Sequence, residues 1–232
     1  TTAGTLTSTR GTSGGAVARR ASAALVVAEI AVAIVLLAGA GLVLRSFANL
    51  LSVDPGFRTD NVLTLSIAAP PARYPDGPSR AAFNRRVFET IGAIRGVQAV
   101  GSAAVMPLTG NVWSVPFDRA DRPVPAGERA PDVGWQAASG GYFTALGIPL
   151  LEGRLFSSVD HPDSPDVVII SEAIRERFFD WQPAVGRRVR TGDGEAEIVG
   201  VVGSIRRGAL TDEPWADMYF SQEQSPAPSM NL

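Results

Sequence analysis

ASAALVVAEIAVAIVLLAGAGLVL, residues 21–44, is the stretch that decides the fold of this chain. Its only polar side chains are those of Ser22 and Glu29. Because an α-helix rises about 1.5 Å per residue, this stretch can cross a hydrocarbon core about 30 Å thick. The sequence therefore predicts a transmembrane helix that continues into a short stalk, over residues 21–48.

The residues on the two sides of this helix differ in composition. Residues 1–20 are rich in Thr, Ser, Gly and Ala and carry three Arg but no acidic residue, which predicts a flexible segment. The excess of Arg there favours the cytoplasmic side of the membrane. Residues 49–232 then form an extracytoplasmic domain, and the strand-like pattern of its last residues suggests a domain truncated at its C-terminus.

A cleaved signal peptide is the alternative interpretation of the apolar stretch. Arg19 and Arg20 would be its basic region, and residues 38–40 its cleavage site. The apolar region of a signal peptide is about 7–15 residues long, whereas this one continues to Leu44. The pattern therefore favours a retained helix.

The helix also carries residues suited to contact other helices. Small side chains repeat on one face at Ala21, Ala24, Ala28, Ala31 and Ala38, a pattern that allows close helix packing. Glu29 lies on another face. A carboxyl group at the bilayer centre costs about 2.5–3.5 kcal/mol on insertion scales, so Glu29 should face protein or water. Two roles stay open, a buried hydrogen bond to a neighbouring helix and a proton or substrate relay, and both require partner helices.

The composition of the chain excludes several classes of protein. There is no Cys, and therefore no disulfide framework and no thiolate metal site. Three Arg precede the span and one Glu lies within it, so 18 Arg and 22 acidic residues follow it. Because this slightly acidic domain has no basic block, we expect no nucleic acid partner.

The residue types needed for metal binding and catalysis are scarce. The only His, His161, lies in a loop between Asp160 and Asp163, beside Pro162. Without a second His or a Cys, these residues are a poor metal site. They also offer little from which to build a nucleophile, base and acid, and no Gly-rich phosphate loop is present. We therefore expect no catalytic, cofactor-binding or metal-binding residues.

Strands and helices are mixed throughout the domain, which predicts an α+β fold. Residues 107–131 lack periodicity and form either a long loop or a small hairpin at an edge. Trp113 and Phe117 in that segment either make a contact surface or fix the loop to its own domain. The predicted strands are residues 61–69, 97–106, 132–138, 167–170, 187–190, 195–202 and 217–220, and the predicted helices are residues 79–95, 140–146 and 171–179, the last capped by Ser171.

Several segments resemble, in order, the MacB-like and FtsX-like permeases of ABC transporters. The membrane segment RRASAALVVAEIAVAIVLLAGAGLVLRSFANLLSVDPGF and the following NVLTLSIAAPPARYP are similar to that family. So are GYFTALGIPLLEGRLFS, VVIISEAIRERFF, VGRRV, EIVGVVGSIRRGAL and EPWADMYFSQEQSP. Together they cover most of residues 19–232, and the duplicated orphan permeases are the most similar type.

The resemblance implies an architecture and a function. One transmembrane helix would precede a MacB-type periplasmic core, which has a porter-like βαβ part from residues 61–106 and the C-terminal strands, and a smaller inserted α/β part from about residue 107. The protein would be a non-catalytic permease subunit. A separate cytoplasmic ABC ATPase would drive helix movement, which is transmitted to the extracytoplasmic domain for export or envelope processes.

The same resemblance implies partners and a location. The partners would be that ATPase, further transmembrane helices of the same protein or of a second permease half, and a periplasmic partner. The location would be the bacterial cytoplasmic membrane. A single-pass membrane sensor with an extracytoplasmic ligand-binding domain is the alternative function, and a membrane-anchored hydrolase lacks the residues to support it.

Overall fold

The computed structural model describes residues 14–111, 113–191, 194–225 and 229–232. The described chain divides into two compact units at the junction of Val53 and Asp54. The first unit contains helix α1, Gly14–Leu51. It is long and apolar enough to cross a membrane over Val17–Leu51. The helix begins before the predicted residue 21 because Ala and Arg in its first turns are good helix formers.

The second unit contains the remaining three helices and ten strands of the described residues. The helices are α2 (Gly77–Gly92), α3 (Gly140–Leu146) and α4 (Glu172–Phe179). The strands are β1 (Ser66–Ala68), β2 (Trp113–Pro116), β3 (Asp118–Arg119), β4 (Asp132–Ala138), β5 (Leu150–Gly153), β6 (Val167–Ser171), β7 (Arg188–Thr191), β8 (Gly194–Val202), β9 (Asp217–Ser221) and β10 (Ser229–Asn231).

Eight of these strands form one sheet that closes into a barrel. The strand order is β2-β4-β9-β6-β8-β7-β3, with β5 paired to β8. Strands β2 and β3 lie at opposite ends of this order, but only Phe117 separates them in the chain. Since consecutive Cα atoms are about 3.8 Å apart, the two ends of the sheet must meet at Phe117. The segment 113–119 pairs first with β4 and then with β7.

The sheet has an apolar core on each face. Along β6, Val168 and Ile170 point to the inner core and Ile169 to the outer core, as the period of two in a strand requires. Helix α4 contributes Ile174 and Phe179 to the inner core. The outer core consists of Ala103, Ala138, Tyr142, Phe143, Leu146, Ile148, Phe156, Val167, Ile169, Val199, Val202, Ile205 and Tyr219.

A small two-stranded sheet holds the start and the last described residues of the domain together. Strand β1 pairs with β10 in an antiparallel register, with Ile67 opposite Met230. The predicted strand 61–69 is therefore shorter than expected, because its ladder partner is only three residues long. Leu63 is 85% exposed, so the predicted buried face does not extend to it.

The predicted strand 97–106 is wrong. Only Ala103 makes strand-type bridges, to Ala138 and Asn231. Beside Ala103 in the described chain, backbone hydrogen bonds to the end of β4 involve only Ser102 and Ala104, and side chains bind the other backbone groups nearby. The amide of Gln136 accepts from the N–H of Val105 at 3.0 Å and donates to its carbonyl oxygen at 2.5 Å. The hydroxyl of Ser139 accepts from the N–H of Ser102.

Most other predicted elements are confirmed. Strand β4 and helix α3 have the predicted bounds, and β6 and β9 are each one residue longer. The hairpin of β7 and β8 is present, although residues 192 and 193 of its turn lie outside the described residues. Helix α2 ends at Gly92 rather than residue 95, and its apolar face is only half-buried.

The question left open for residues 107–131 is answered by β2, which pairs with β4 as a hairpin. Phe117 is 2% exposed and fixes the segment to its own domain. Trp113 is 56% exposed and stacks on Trp135, with ring centroids 5.3 Å apart.

Candidate functional site

The candidate packing residues of the membrane helix all lie within the described part of α1. Ala24, Ala28, Glu29, Ala31 and Ala38 are exposed in the isolated chain. Small side chains on an apolar helix are of the kind that allow close packing against other membrane helices. The role of these five residues remains a prediction.

The chain that follows α1 enters the domain through the predicted turn Asp54-Pro55-Gly56. The N–H of Gly56 donates to Oδ1 of Asp54 at 2.8 Å, which forms an Asx turn. Gly56 has a φ of +83°, and a Cβ there would overlap the carbonyl oxygen of Ser204. Only glycine meets both conditions without strain.

Hydrogen bonds fix this turn and the next residues to the core of the domain. The N–H of Arg206 donates to the carbonyl oxygen of Pro55 at 2.9 Å, and its Nε donates to that of Asp54 at 3.3 Å. The N–H of Arg58 donates to the carbonyl oxygen of Leu146, at the end of α3, at 2.6 Å. Phe57 and Val62 pack against the outer core. Residues 54–62, named here the anchor segment, are therefore attached to two separate parts of the domain.

Beyond the anchor segment, a buried ion pair joins the loop after β8 to the barrel. Nη1 of Arg207 lies 2.8 Å from Oδ1 of Asp217, and the two side chains are 1% and 0% exposed. Nη1 also donates to the carbonyl oxygen of Trp135 at 3.2 Å. A Cβ at Gly134 would overlap Oδ1 of Asp217, so the absence of a side chain at Gly134 makes room for the pair.

The surroundings of this ion pair are unusually rich in buried polar atoms. Nε and Nη2 of Arg207, Oδ2 of Asp217, and the hydroxyls of Tyr142 and Tyr219 have no hydrogen-bond partner within the described protein. Burial raises the pKa of both tyrosines, and the nearby carboxylate of Asp217 raises it further. Both tyrosines therefore stay neutral at physiological pH. No local pattern in the sequence indicates this cluster, because its members Tyr142 and Tyr219 are 77 residues apart.

The acidic residues around the only His do not form a metal site in the described chain. The carboxylate of Asp160 is 2% exposed and receives two 2.7 Å hydrogen bonds from Arg154 and one of 2.9 Å from the N–H of Ser157. Its oxygens are thus directed to protein donors. His161 is exposed, and its Nδ1 accepts from the N–H of Asp163 at 3.2 Å. Among the described residues, no group of three His, Cys, Asp or Glu is close enough to hold a metal.

These features define an α+β domain that follows an apolar helix of membrane-spanning length. The model of the MacB-like periplasmic core domain family matches residues 23–227. The chain therefore belongs to the MacB-like periplasmic core domain family, which is part of the permeases of ABC transporters. Members of this family are transporter components that are generally non-catalytic. Because they belong to ABC transporters, an ATPase partner is implied.

Solved structures of the same kind are similar to this chain. The periplasmic region of MacB from Actinobacillus actinomycetemcomitans is 15% identical, with a TM-score of 0.46 over 79% of this chain and 78% of that chain. The extracellular domain of the noncanonic ABC-type transporter YknZ from Gram-positive bacteria is 18% identical, with a TM-score of 0.41 over 63% and 70%. A domain of a putative permease protein from Porphyromonas gingivalis is 14% identical, with a TM-score of 0.39 over 62% and 64%. A comparison with curated proteins gives no significant match.

Proposed function

We propose that this chain is a non-catalytic permease subunit that transmits movement from a cytoplasmic ABC ATPase to an extracytoplasmic domain. The subunit is located in the bacterial cytoplasmic membrane, with residues 49–232 outside the cytoplasm. Hydrolysis of ATP on the separate ATPase shifts the membrane helices, and α1 passes this shift to the domain. The movement serves export or another process of the cell envelope.

The main support for this proposal is the attachment of the anchor segment to the domain. A helix that only tethered a domain could be followed by a loose linker, since Gly- and Ser-rich linkers behave as flexible coils. Here only Ser52 and Val53 lie between the end of α1 and the anchor segment. Backbone hydrogen bonds then fix residues 55 and 58 to the domain. A displacement of the end of α1 along its axis would therefore act directly on the backbone of the domain.

The proposed partners follow from the surface of α1. Its small residues and Glu29 call for further transmembrane helices, either of the same protein or of a second permease half. The extracytoplasmic domain in turn acts on a periplasmic partner.

A flexible insertion between the helix and the anchor segment tests the transmission. Eight Gly and Ser residues would be inserted after Ser52 in the full-length permease, isolated together with its ATPase. A spin label at the exposed Ala82→Cys in α2, together with nickel-chelating lipids in a nanodisc that holds the complex, reports on the distance of the domain from the membrane surface. Without the insertion, relaxation of the label by the nickel should show a distance that differs between the ATP-bound and the nucleotide-free complex. With the insertion, this difference should vanish while ATP hydrolysis continues.

The matched control is the same insertion after Gly127, in an exposed turn of the domain. This variant should retain the nucleotide-dependent distance change, because the turn lies outside the anchor segment. If the complex without any insertion hydrolyses ATP but shows the same distances in all nucleotide states, the proposed transmission is wrong.

A further inference from the structure

The barrel is closed at one end and open at the other. Helix α4 follows β6 and covers one end, where Ile174 and Phe179 enter the inner core. Toward the opposite end, where β9 ends and β6 begins, lies a cavity of about 400 Å³. This volume is within the range of about 300–1,000 Å³ of small-molecule sites, and barrel mouths are a common place for them. We call this cavity the barrel mouth.

One wall of the barrel mouth is aromatic. Trp135 and Phe220 line the cavity with Val115 and Met218. The ring of Trp135 lies between that of Phe220, with centroids 6.1 Å apart, and that of Trp113, with centroids 5.3 Å apart. Trp135 is only half-buried, so part of its surface remains available. The faces of aromatic rings such as these attract cations as well as apolar groups.

Among the residues that the structure describes, the rim of the barrel mouth carries one ionisable side chain, that of Asp166. Its carboxylate makes no hydrogen bond and no ion pair with the residues that the structure describes. Glu197 on the adjacent β8 is also without an ion pair among the described residues but does not line the cavity, whereas Glu195 and Asp118 are paired with arginines.

The backbone around Asp166 is held in place on both sides. Oε1 of Gln224 accepts from the N–H of Val167 at 3.2 Å, and its Nε2 donates to the carbonyl oxygen of Pro165 at 2.9 Å. The carbonyl oxygen of Asp166 itself accepts from the N–H of Glu197 at 2.9 Å. The carboxylate is therefore unpaired but fixed at its base, which lowers the entropy lost when it binds a ligand.

We propose that the barrel mouth binds a small apolar cation, namely an amine or quaternary ammonium compound with an aromatic or aliphatic body. The apolar body lies against Trp135, Met218 and Phe220, and the cationic group lies between the indole of Trp135 and the carboxylate of Asp166. An anion of the same shape is excluded, because it would face an unpaired carboxylate with no basic group among the described lining residues. This inference does not depend on coupling to an ATPase.

Two probes of the same body and opposite charge test the proposal. Benzyltrimethylammonium and phenylmethanesulfonate would be titrated against the full chain in lipid nanodiscs, with binding followed by saturation-transfer NMR. We expect saturable binding of the cation and none of the sulfonate. Asp166→Asn should weaken binding of the cation about five- to tenfold, and Trp135→Leu should weaken it by at least as much.

Asp163→Asn is the matched control, because this exposed acid lies three residues away but does not line the cavity. It should leave the affinity for the cation unchanged. Thermal unfolding of each variant shows whether the domain is still folded, and Asp166→Asn removes only an exposed charge. Equal binding of the two probes, or full affinity in Asp166→Asn, overturns the proposal. Saturable binding of neither probe also overturns it and would leave the aromatic wall as a contact for a partner protein.

Discussion

Asp160 and Asp217 are both buried beside an arginine, but their pKa values move in opposite directions. Burial acts to raise the pKa of each carboxyl group. At Asp160, the two hydrogen bonds from Arg154 and one from the N–H of Ser157 outweigh burial, so the pKa falls below its usual value. At Asp217, the single contact with Arg207 does not outweigh burial, and the pKa is raised. The number of donors thus decides the charge preference of each buried acid.

Asp160→Asn should make the stability of the domain less dependent on acid pH. Because the folded state lowers the pKa of Asp160, its contribution is fully present above the unfolded value, about 3.9, and is lost as pH falls through the folded value. At pH 7 we expect the variant to be less stable by about 1–3 kcal/mol. Urea unfolding of the full chain in nanodiscs, repeated from pH 7 to pH 2, measures this difference.

The difference in unfolding free energy between Asp160→Asn and the unsubstituted chain should disappear at low pH. Asp163→Asn should have the same stability as the unsubstituted chain at every pH. A difference that stays constant down to the lowest pH would show that packing rather than the ionised carboxylate of Asp160 is responsible.

At the scale of single elements, the start of α4 separates what a sequence can and cannot predict. Ser171 was the predicted cap and does occupy that position, but its hydroxyl accepts from the N–H of Asp217 and donates to the carbonyl oxygen of Trp215. The hydroxyl of Ser204 caps the helix instead, accepting from the N–H of Ala173 at 2.8 Å. The local pattern locates the helix because apolar spacing and cap preference are local properties. The capping partner comes from a distant loop and has no local signal.

The same distinction explains the other outcomes. The bounds of β4 and α3 follow from patterns of neighbouring residues and were predicted. The loss of the strand at 97–106 depends on the amide of Gln136 and the hydroxyl of Ser139, which only the folded chain brings there. The barrel mouth likewise joins residues from six strands, and no local pattern pairs Trp113 with its stacking partner Trp135.

Glu29→Ala in α1 should leave membrane insertion intact but weaken assembly of the transporter. Removing a carboxyl group makes insertion of the helix easier. Loss of an interhelical hydrogen bond, worth about 0.6–1.7 kcal/mol, should lower the yield of the ATPase complex several-fold. Co-purification of the full-length permease with its ATPase, together with export by the same cells, measures the effect.

Ile34→Ala is the control, since Ile34 is a bulky apolar residue that lies about 140° around the helix from Glu29, at about 100° per residue. This variant should assemble as the unsubstituted protein does. Unchanged assembly and export in Glu29→Ala would instead support a helix that acts only as a tether.

At the scale of the whole domain, Phe117 is the residue that closes the barrel. The chain changes partner there, from β4 on one side to β7 on the other. The ring of Phe117 lies 4.5 Å from that of Phe178 and 6.3 Å from that of Phe179, at the C-terminal end of α4. The closure of the sheet and the position of the covering helix are therefore coupled through one aromatic side chain.

Phe117→Ala should destabilise the domain by about 3–5 kcal/mol, as expected for a buried Phe whose cavity cannot fully collapse. Urea unfolding of the full chain at pH 7 measures the loss. Trp113→Ala, four residues earlier at an exposed position, should cost much less. Equal losses in the two variants would contradict the role of Phe117 in closure.

The strand order also means that β4 is synthesised well before β9, the strand that must pair with it. Strand β4 ends at Ala138, but its neighbour β9 begins only at Asp217 and lies between β4 and β6. A ribosome adds about 5–20 residues per second, so on the order of 4–16 s pass before β9 is made. Until then, β4 and β6 have no partner for these edges, and the nascent chain exposes unpaired apolar strands. Such non-local pairing is slow to form, so the most hazardous moment for this domain comes before its native contacts exist.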